Sequence, residues 1–106
     1  MSYVRVSLIR PRHTEEARVR ELLERLVTYY AEQPGYLAGY LLEPTEPEGF
    51  LGRIGVWETD KDAEHAAQQE YDLALRSQLN MAVEEHREYS FIGHEPNTSG
   101  TGAAAS

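Results

Sequence analysis

Hydrophobic periodicity along this chain changes in the order strand, helix, strand, strand, helix, strand, and the whole series is complete before residue 95. Apolar side chains alternate with a period of about two in strands and recur at about 3.6 in helices, so the switch points can be read directly. Tyr3 to Arg10 is rich in β-branched and aliphatic residues and stops at Pro11, which predicts a first strand. Val19, Leu22, Leu23, Leu26, Val27 and Tyr30 then form one apolar stripe at helical spacing. Thr14 is the expected N-cap of that helix, with Glu15 and Glu16 complementing its dipole. Pro34-Gly35 ends it, because proline cannot continue the ladder and glycine accepts positive φ.

Tyr36 to Glu43 and Phe50 to Glu58 read as two strands joined by the acidic, proline-bearing loop from Pro44 to Gly49. Thr59 to Asp62 resembles a capping box and opens a second helical region. Ala63, Ala66, Ala67 and Tyr71 are expected to face inward there, with Leu75, Leu79 and Val83 continuing after a break near Asp72. Arg87 to His94 is the predicted last strand. The expected organisation is one α+β domain over 1–95 and a disordered tail over 96–106.

Composition narrows the functions open to such a domain. At 106 residues and 41% hydrophobic content it is one domain with a small core, which further burial against a partner would help. The absence of cysteine excludes disulfides, thiolate metal sites and a cysteine nucleophile. A net charge of −8 repels phosphate backbones, and no basic patch offsets it, so no nucleic-acid role is expected. Arg5 interrupts any N-terminal signal-like run, and no apolar stretch approaches the ~20 residues of a membrane span. A soluble, cytoplasmic protein that does not engage membranes is the expectation.

Strand parity gives a stronger inference. In the second strand Tyr36, Ala38, Tyr40 and Leu42 fall on one face, and Leu37, Gly39 and Leu41 on the other. In the third, Phe50, Ile54 and Val56 oppose Leu51, Arg53, Gly55 and Trp57. Both faces are largely apolar, and two helical regions in this order can cover only one. A second copy of the chain, related by a two-fold axis, is the simplest cover for the other, so a homodimer through the sheet face is expected.

The Gln33-Pro34-Gly35-Tyr36 corner, the Gly55-Val56-Trp57-Glu58-Thr59 strand end, the element order and the alanine-rich second helix resemble the antibiotic biosynthesis monooxygenase family over residues 3–94. The resemblance implies a ferredoxin-like βαββαβ protomer with an antiparallel sheet, paired into a dimeric α+β barrel. It also implies a monooxygenase that acts on a small phenol, quinol or anthrone-like molecule with no cofactor. The haem-degrading branch of the family uses an asparagine on the first strand, a tryptophan on the third and a histidine on the second helix. Trp57 matches the tryptophan. Arg5 or Ser7 stands where the asparagine belongs, and His65 lies half a turn before the histidine position near Ala67, which turns the reading away from haem.

The resemblance places Trp57 toward the helices, with Gly55 leaving a gap beside its ring and Arg53 lining the same cleft. A planar phenol would stack on Trp57 while Arg53 stabilises a developing phenolate, and His65 or Tyr71 takes the proton. Arg5, Ser7, Tyr36 and Tyr40 complete the expected substrate-binding set. Plainer readings stand beside these: Trp57 as core, Arg53 in an ion pair, His65 on a solvated face and Tyr71 at the core edge. No metal site is expected, since His86 and His94 would lie roughly 26 Å apart on an extended strand and no HxxxH or HxH pairing exists. No Ser/His/Asp arrangement can be argued from spacing alone. The alternative of another class is a non-catalytic dimer that binds a small apolar ligand or only supports its own assembly.

Overall fold

The structure is a computed structural model and describes residues 1–96; the tail expected beyond that point lies outside the described residues. Its elements are β1 (Ser2–Pro11), α1 (Glu16–Tyr30), β2 (Tyr36–Leu42), β3 (Leu51–Trp57), α2 (Asp60–Ala67), α3 (Glu70–Ala82) and β4 (Val83–Gly93). All strand pairs are antiparallel and the sheet order is β2-β3-β1-β4. This is the ferredoxin-like βαββαβ arrangement, with α2 and α3 together filling the second helical position.

The core forms where the stripe of α1 meets one face of the sheet. Val19, Leu22, Leu23, Leu26 and Tyr30 pack with Ile9, Leu51 and Trp57 and with Ala63, Ala66, Leu75 and Leu79 of the other helices. Each fully buried leucine there contributes about 1.5–3 kcal/mol relative to exposure. The alanines have another part: their small side chains let α2 settle close to the sheet. Thr59 caps α2 as expected, its Oγ1 accepting from the Asp62 amide at 3.1 Å. Gly35, at φ +85°, makes the turn into β2, and a side chain there would run into Asp62.

Several expectations are corrected. Thr14 is not the cap of α1: it adopts φ 72° in the turn out of β1, and the cap position falls to Glu15, whose side chain makes no capping bond. The second helical region breaks at Gln68-Gln69, not at Asp72, with Gln69 extended at ψ 150°. Asp72 lies inside α3 and is fully buried. Tyr71 points outward, 51% exposed, and rests on Tyr29 at 5.2 Å between ring centroids. β4 begins four residues earlier than expected and leaves α3 with no connecting residue. Arg12 secures that junction, its amide donating to the Ala82 carbonyl at 2.9 Å and its Nε to that of Met81 at 3.2 Å.

The parity of β3 is as read: Leu51, Arg53, Gly55 and Trp57 are buried on the helix side. In β2 an irregularity between Tyr36 and Ala38 leaves Leu37 unpaired, so Tyr36 turns to the helix side with Leu41, while Tyr40 stays on the opposite face. That opposite face carries Val4, Val6 and Leu8 of β1, Ile54 and Val56 of β3, Tyr40 of β2, and Tyr89 and Phe91 of β4. Tyr40, Tyr89 and Phe91 are all exposed there. Among the described residues no helix is long and apolar enough to cross a membrane.

Candidate active site

Antiparallel pairing sets the helix-side residues in rows across the sheet. One row runs Tyr36–Trp57–Tyr3–Ile92, the next Gly39–Gly55–Arg5–Ser90, and the third Leu41–Arg53–Ser7–Glu88, with Leu51–Ile9–His86 beyond. Of the sequence-predicted residues, Trp57, Arg53, Gly55, Tyr36, Arg5 and Ser7 thus share this face. Tyr40 does not, and Tyr71 and His65 point to solvent from α3 and α2, the His65 ring lying 3.4 Å from the Gln69 side-chain nitrogen.

Trp57 is 2% exposed, held edge-on between Tyr30 at 5.6 Å and Tyr36 at 5.3 Å. Gly55 leaves no open gap beside it. A side chain there would begin 3.1 Å from the indole Nε1, so the ring itself covers the glycine. In the same way the Tyr36 ring covers Gly39. The aromatic end of the face is therefore closed packing, and the polar character is concentrated one row further on.

Arg53 is 7% exposed, its guanidinium lying over the Tyr30 ring at 4.9 Å. Its Nε is buried with no hydrogen-bond partner, and among the described residues the side chain forms no ion pair. An unpaired buried guanidinium is costly to retain. Burial pushes the Tyr30 hydroxyl well above the usual phenol range, with Arg53 opposing that rise.

Beside Arg53 across the ladder is Ser7, itself buried. Its Oγ lies 2.9 Å from His86 Nε2 and donates to Glu88 Oε2 at 3.1 Å, and those two atoms are 3.1 Å from each other. His86 faces the helices because β4 is irregular where Arg10 pairs Glu85 and Pro11 pairs Val83, which leaves Glu84 as the extra residue. When Nε2 carries a proton, the hydrogen bond from His86, and after it the charge of Arg53, pull the half-exposed Glu88 carboxyl down to about 2. The helices leave most of β4 uncovered, so this cluster opens to solvent at the sheet edge.

A second charged group lies on the helix side, where its charges are felt by Tyr30. Asp72 of α3 pairs with Arg76 Nε, and Arg76 Nη2 donates to the Ala67 carbonyl at 2.7 Å, across the α2–α3 break. Among the described residues Asp72 Oδ2 has no hydrogen-bond partner. Nearby, Arg5 reaches Glu64 at 2.8 Å, so Arg5 is engaged with α2. Sequence reading missed Glu88, His86, Tyr30, Asp72 and Arg76 as members of this region. An Asp and an Arg four apart on a helix, Asp72 and Arg76, were a usable signal. A concavity lies elsewhere, between Arg10–Thr14 and the β2–β3 loop, and its Arg20 is already engaged by Glu16 and Glu43.

No protein-family model matches the sequence, and no curated protein does. Solved structures do. SnoaB from Streptomyces nogalater, a cofactor-independent oxygenase solved as the mutant N63A, is similar at TM-score 0.79 and 17% identity, over 92% of this chain and 98% of its own. Rv0793 from Mycobacterium tuberculosis matches at TM-score 0.82 and 14% identity, over 92% of this chain and 100% of its own. A candidate antibiotic biosynthesis monooxygenase from Nitrosomonas europaea matches at TM-score 0.81 and 16% identity, over 90% and 92% of the two chains. At these identities the likeness establishes a shared fold.

Proposed function

We propose that the chain is a cofactor-independent monooxygenase of the antibiotic biosynthesis monooxygenase type, acting on a small phenol, quinol or anthrone-like molecule. The observation that carries this reading is Arg53, a buried cation with an unpartnered Nε beside the Trp57–Tyr36–Tyr30 aromatic group. A guanidinium so placed binds a phenolate or enolate oxygen far better than water does, because little else competes for it. Such an anion is electron-rich enough to reduce oxygen directly, which leaves the protein to supply position and charge. SnoaB, which shares the fold, is described as an oxygenase of this cofactor-free kind.

Oxygen uptake by metal-stripped protein with a panel of anthrones and hydroquinones, corrected for autoxidation, tests the reading. Trp57→Phe is expected to lower uptake by about tenfold, since the indole sets the aromatic wall against which Arg53 is held. No uptake across the panel would discard the enzyme. The second reading, a non-catalytic ligand-binding or structural dimer, is favoured by one observation: Trp57 is closed on both sides by tyrosines and is almost fully buried. That reading predicts thermal stabilisation by ligand with no oxygen consumed.

The working unit in either case is a homodimer, its sheets face to face. Tyr40, Tyr89 and Phe91 stand exposed on a continuous apolar sheet face, which none of the described elements covers. Sedimentation should show a dimer at micromolar concentration and a monomer for the variant Tyr89→Lys,Phe91→Lys, in which like charges meet across the axis. A wild-type monomer at that concentration contradicts the assembly.

A further inference from the structure

Ser7, His86 and Glu88 form a closed triangle of polar atoms, with sides of 2.9, 3.1 and 3.1 Å, immediately beside the unpartnered Arg53. We infer that the triangle is the proton-accepting device of the site: a substrate hydroxyl held at Arg53 passes its proton to Ser7 Oγ, and Ser7 passes its own to His86 Nε2.

The step is a pure proton transfer. The substrate O–H bond breaks with its electron pair remaining on oxygen, the Ser7 O–H bond is exchanged, and an Nε2–H bond forms, with no electron changing hands. It requires the neutral tautomer of His86 that carries its proton on Nδ1, with the Ser7 hydroxyl turned from Glu88 Oε2 to Nε2, so that Nε2 accepts from Ser7 and donates to Glu88 only once it is protonated. The products are an oxyanion on Arg53 and an imidazolium whose Nε2–H faces the Glu88 carboxylate 3.1 Å away. Opposite charges are thus created next to opposite charges already in place.

The neighbours support this assignment of roles. Arg53 of β3 and Arg76 of α3 both place positive charge toward Glu88 and favour its ionised form. A carboxylate so stabilised is a poor base, which leaves the imidazole as proton acceptor and makes Glu88 a positioning residue. The His86 side chain is 29% exposed, so the proton has a way out to water. His65 and Tyr71, the acceptors expected from sequence, stand on the solvent side of their helices, away from Arg53.

This inference rests on the oxygenase reading for its substrate, but its test does not need oxygen. The probe is 4-nitrophenol, whose neutral and ionised forms absorb at different wavelengths, bound anaerobically to the intact protein. Wild-type protein is expected to hold it as the anion at a pH where it is neutral in solution. Ser7→Ala and His86→Gln should bind it but show at least tenfold less anion at the same pH. Ser7→Thr should restore the signal by returning the hydroxyl, and Glu88→Gln should show an intermediate loss. Circular dichroism identifies any variant that has simply failed to fold, and Ser7→Thr then carries the comparison. Equal anion in wild type and His86→Gln overturns the relay, whatever the oxygen uptake. Anion formation that depends on His86, with no oxygen uptake, upholds the relay and removes the oxygenase. A wild-type protein that binds no phenol overturns both.

Discussion

Replacing Arg53 with methionine is expected to abolish most oxygen uptake and, in the same protein, to raise the thermal midpoint. The two effects share one cause. A buried guanidinium with an orphaned Nε has lost its hydration without full compensation, and methionine fills a similar volume with no charge to desolvate. Replacing a buried ion pair by apolar side chains of like volume is often neutral or stabilising by about 1–4 kcal/mol, and among the described residues Arg53 has no ion-pair partner to be stranded by its removal. For a domain of this size each kcal/mol moves the midpoint by about 4–8 °C. Under the proposed function, in which Arg53 holds the oxyanion, its loss is expected to lower turnover by about 10²–10³-fold. Uptake assays and thermal melts on one variant therefore separate the roles. A fall in both would make Arg53 a structural residue, and unchanged uptake would remove it from the site.

The largest loss of stability is expected from Arg76→Ala. Asp72 is fully buried, and Arg76 is both its ion-pair partner and the donor that closes the Ala67 carbonyl at the helix break. Removing the arginine leaves a buried carboxylate with neither oxygen paired, a situation that costs about 3–5 kcal/mol. Because Arg76 is about a third exposed, water partly replaces it, and the lower end of that range is expected. Removing both partners together, as Asp72→Ala,Arg76→Ala, should cost less than removing Arg76 alone, since no charge is then stranded. Denaturant titration of the two variants checks the order. A double variant less stable than the single one contradicts it.

Much of the architecture could be read from period and parity alone. The α1 stripe and the inward set Leu51, Arg53, Gly55 and Trp57 are consequences of short-range geometry that the chain displays openly. What stayed hidden depends on irregularities that leave no local mark. The break between α2 and α3 occurs in Ala66-Ala67-Gln68-Gln69, where no glycine or proline announces it; Arg76, held by the buried Asp72 of the next helix, donates instead to the Ala67 carbonyl there. The extra residue at Leu37 reverses the face of Tyr36 relative to Tyr40, and nothing in the alternation of β2 signals it. The Ser7–His86 contact joins residues 79 apart in sequence and exists only in one register of β1 against β4. Candidate side chains contributed by one strand were therefore legible, whereas the cluster assembled between strands was not.

The direct passage from α3 into β4 also governs how this fold tolerates changes in length. One residue inserted between Ala82 and Val83 would either rotate α3 by about 100° against its neighbours or invert the parity of β4. The second outcome would send His86 and Glu88 to the face now held by Tyr89 and Phe91, and place those aromatics under the helices. The loop from Pro44 to Gly49 carries no such constraint, since it only closes the β2–β3 hairpin and sets the register of neither α3 nor β4. Insertions and deletions should therefore collect at the hairpin, while the alignment of Ser7, His86 and Glu88 is preserved by a junction with no residue to spare.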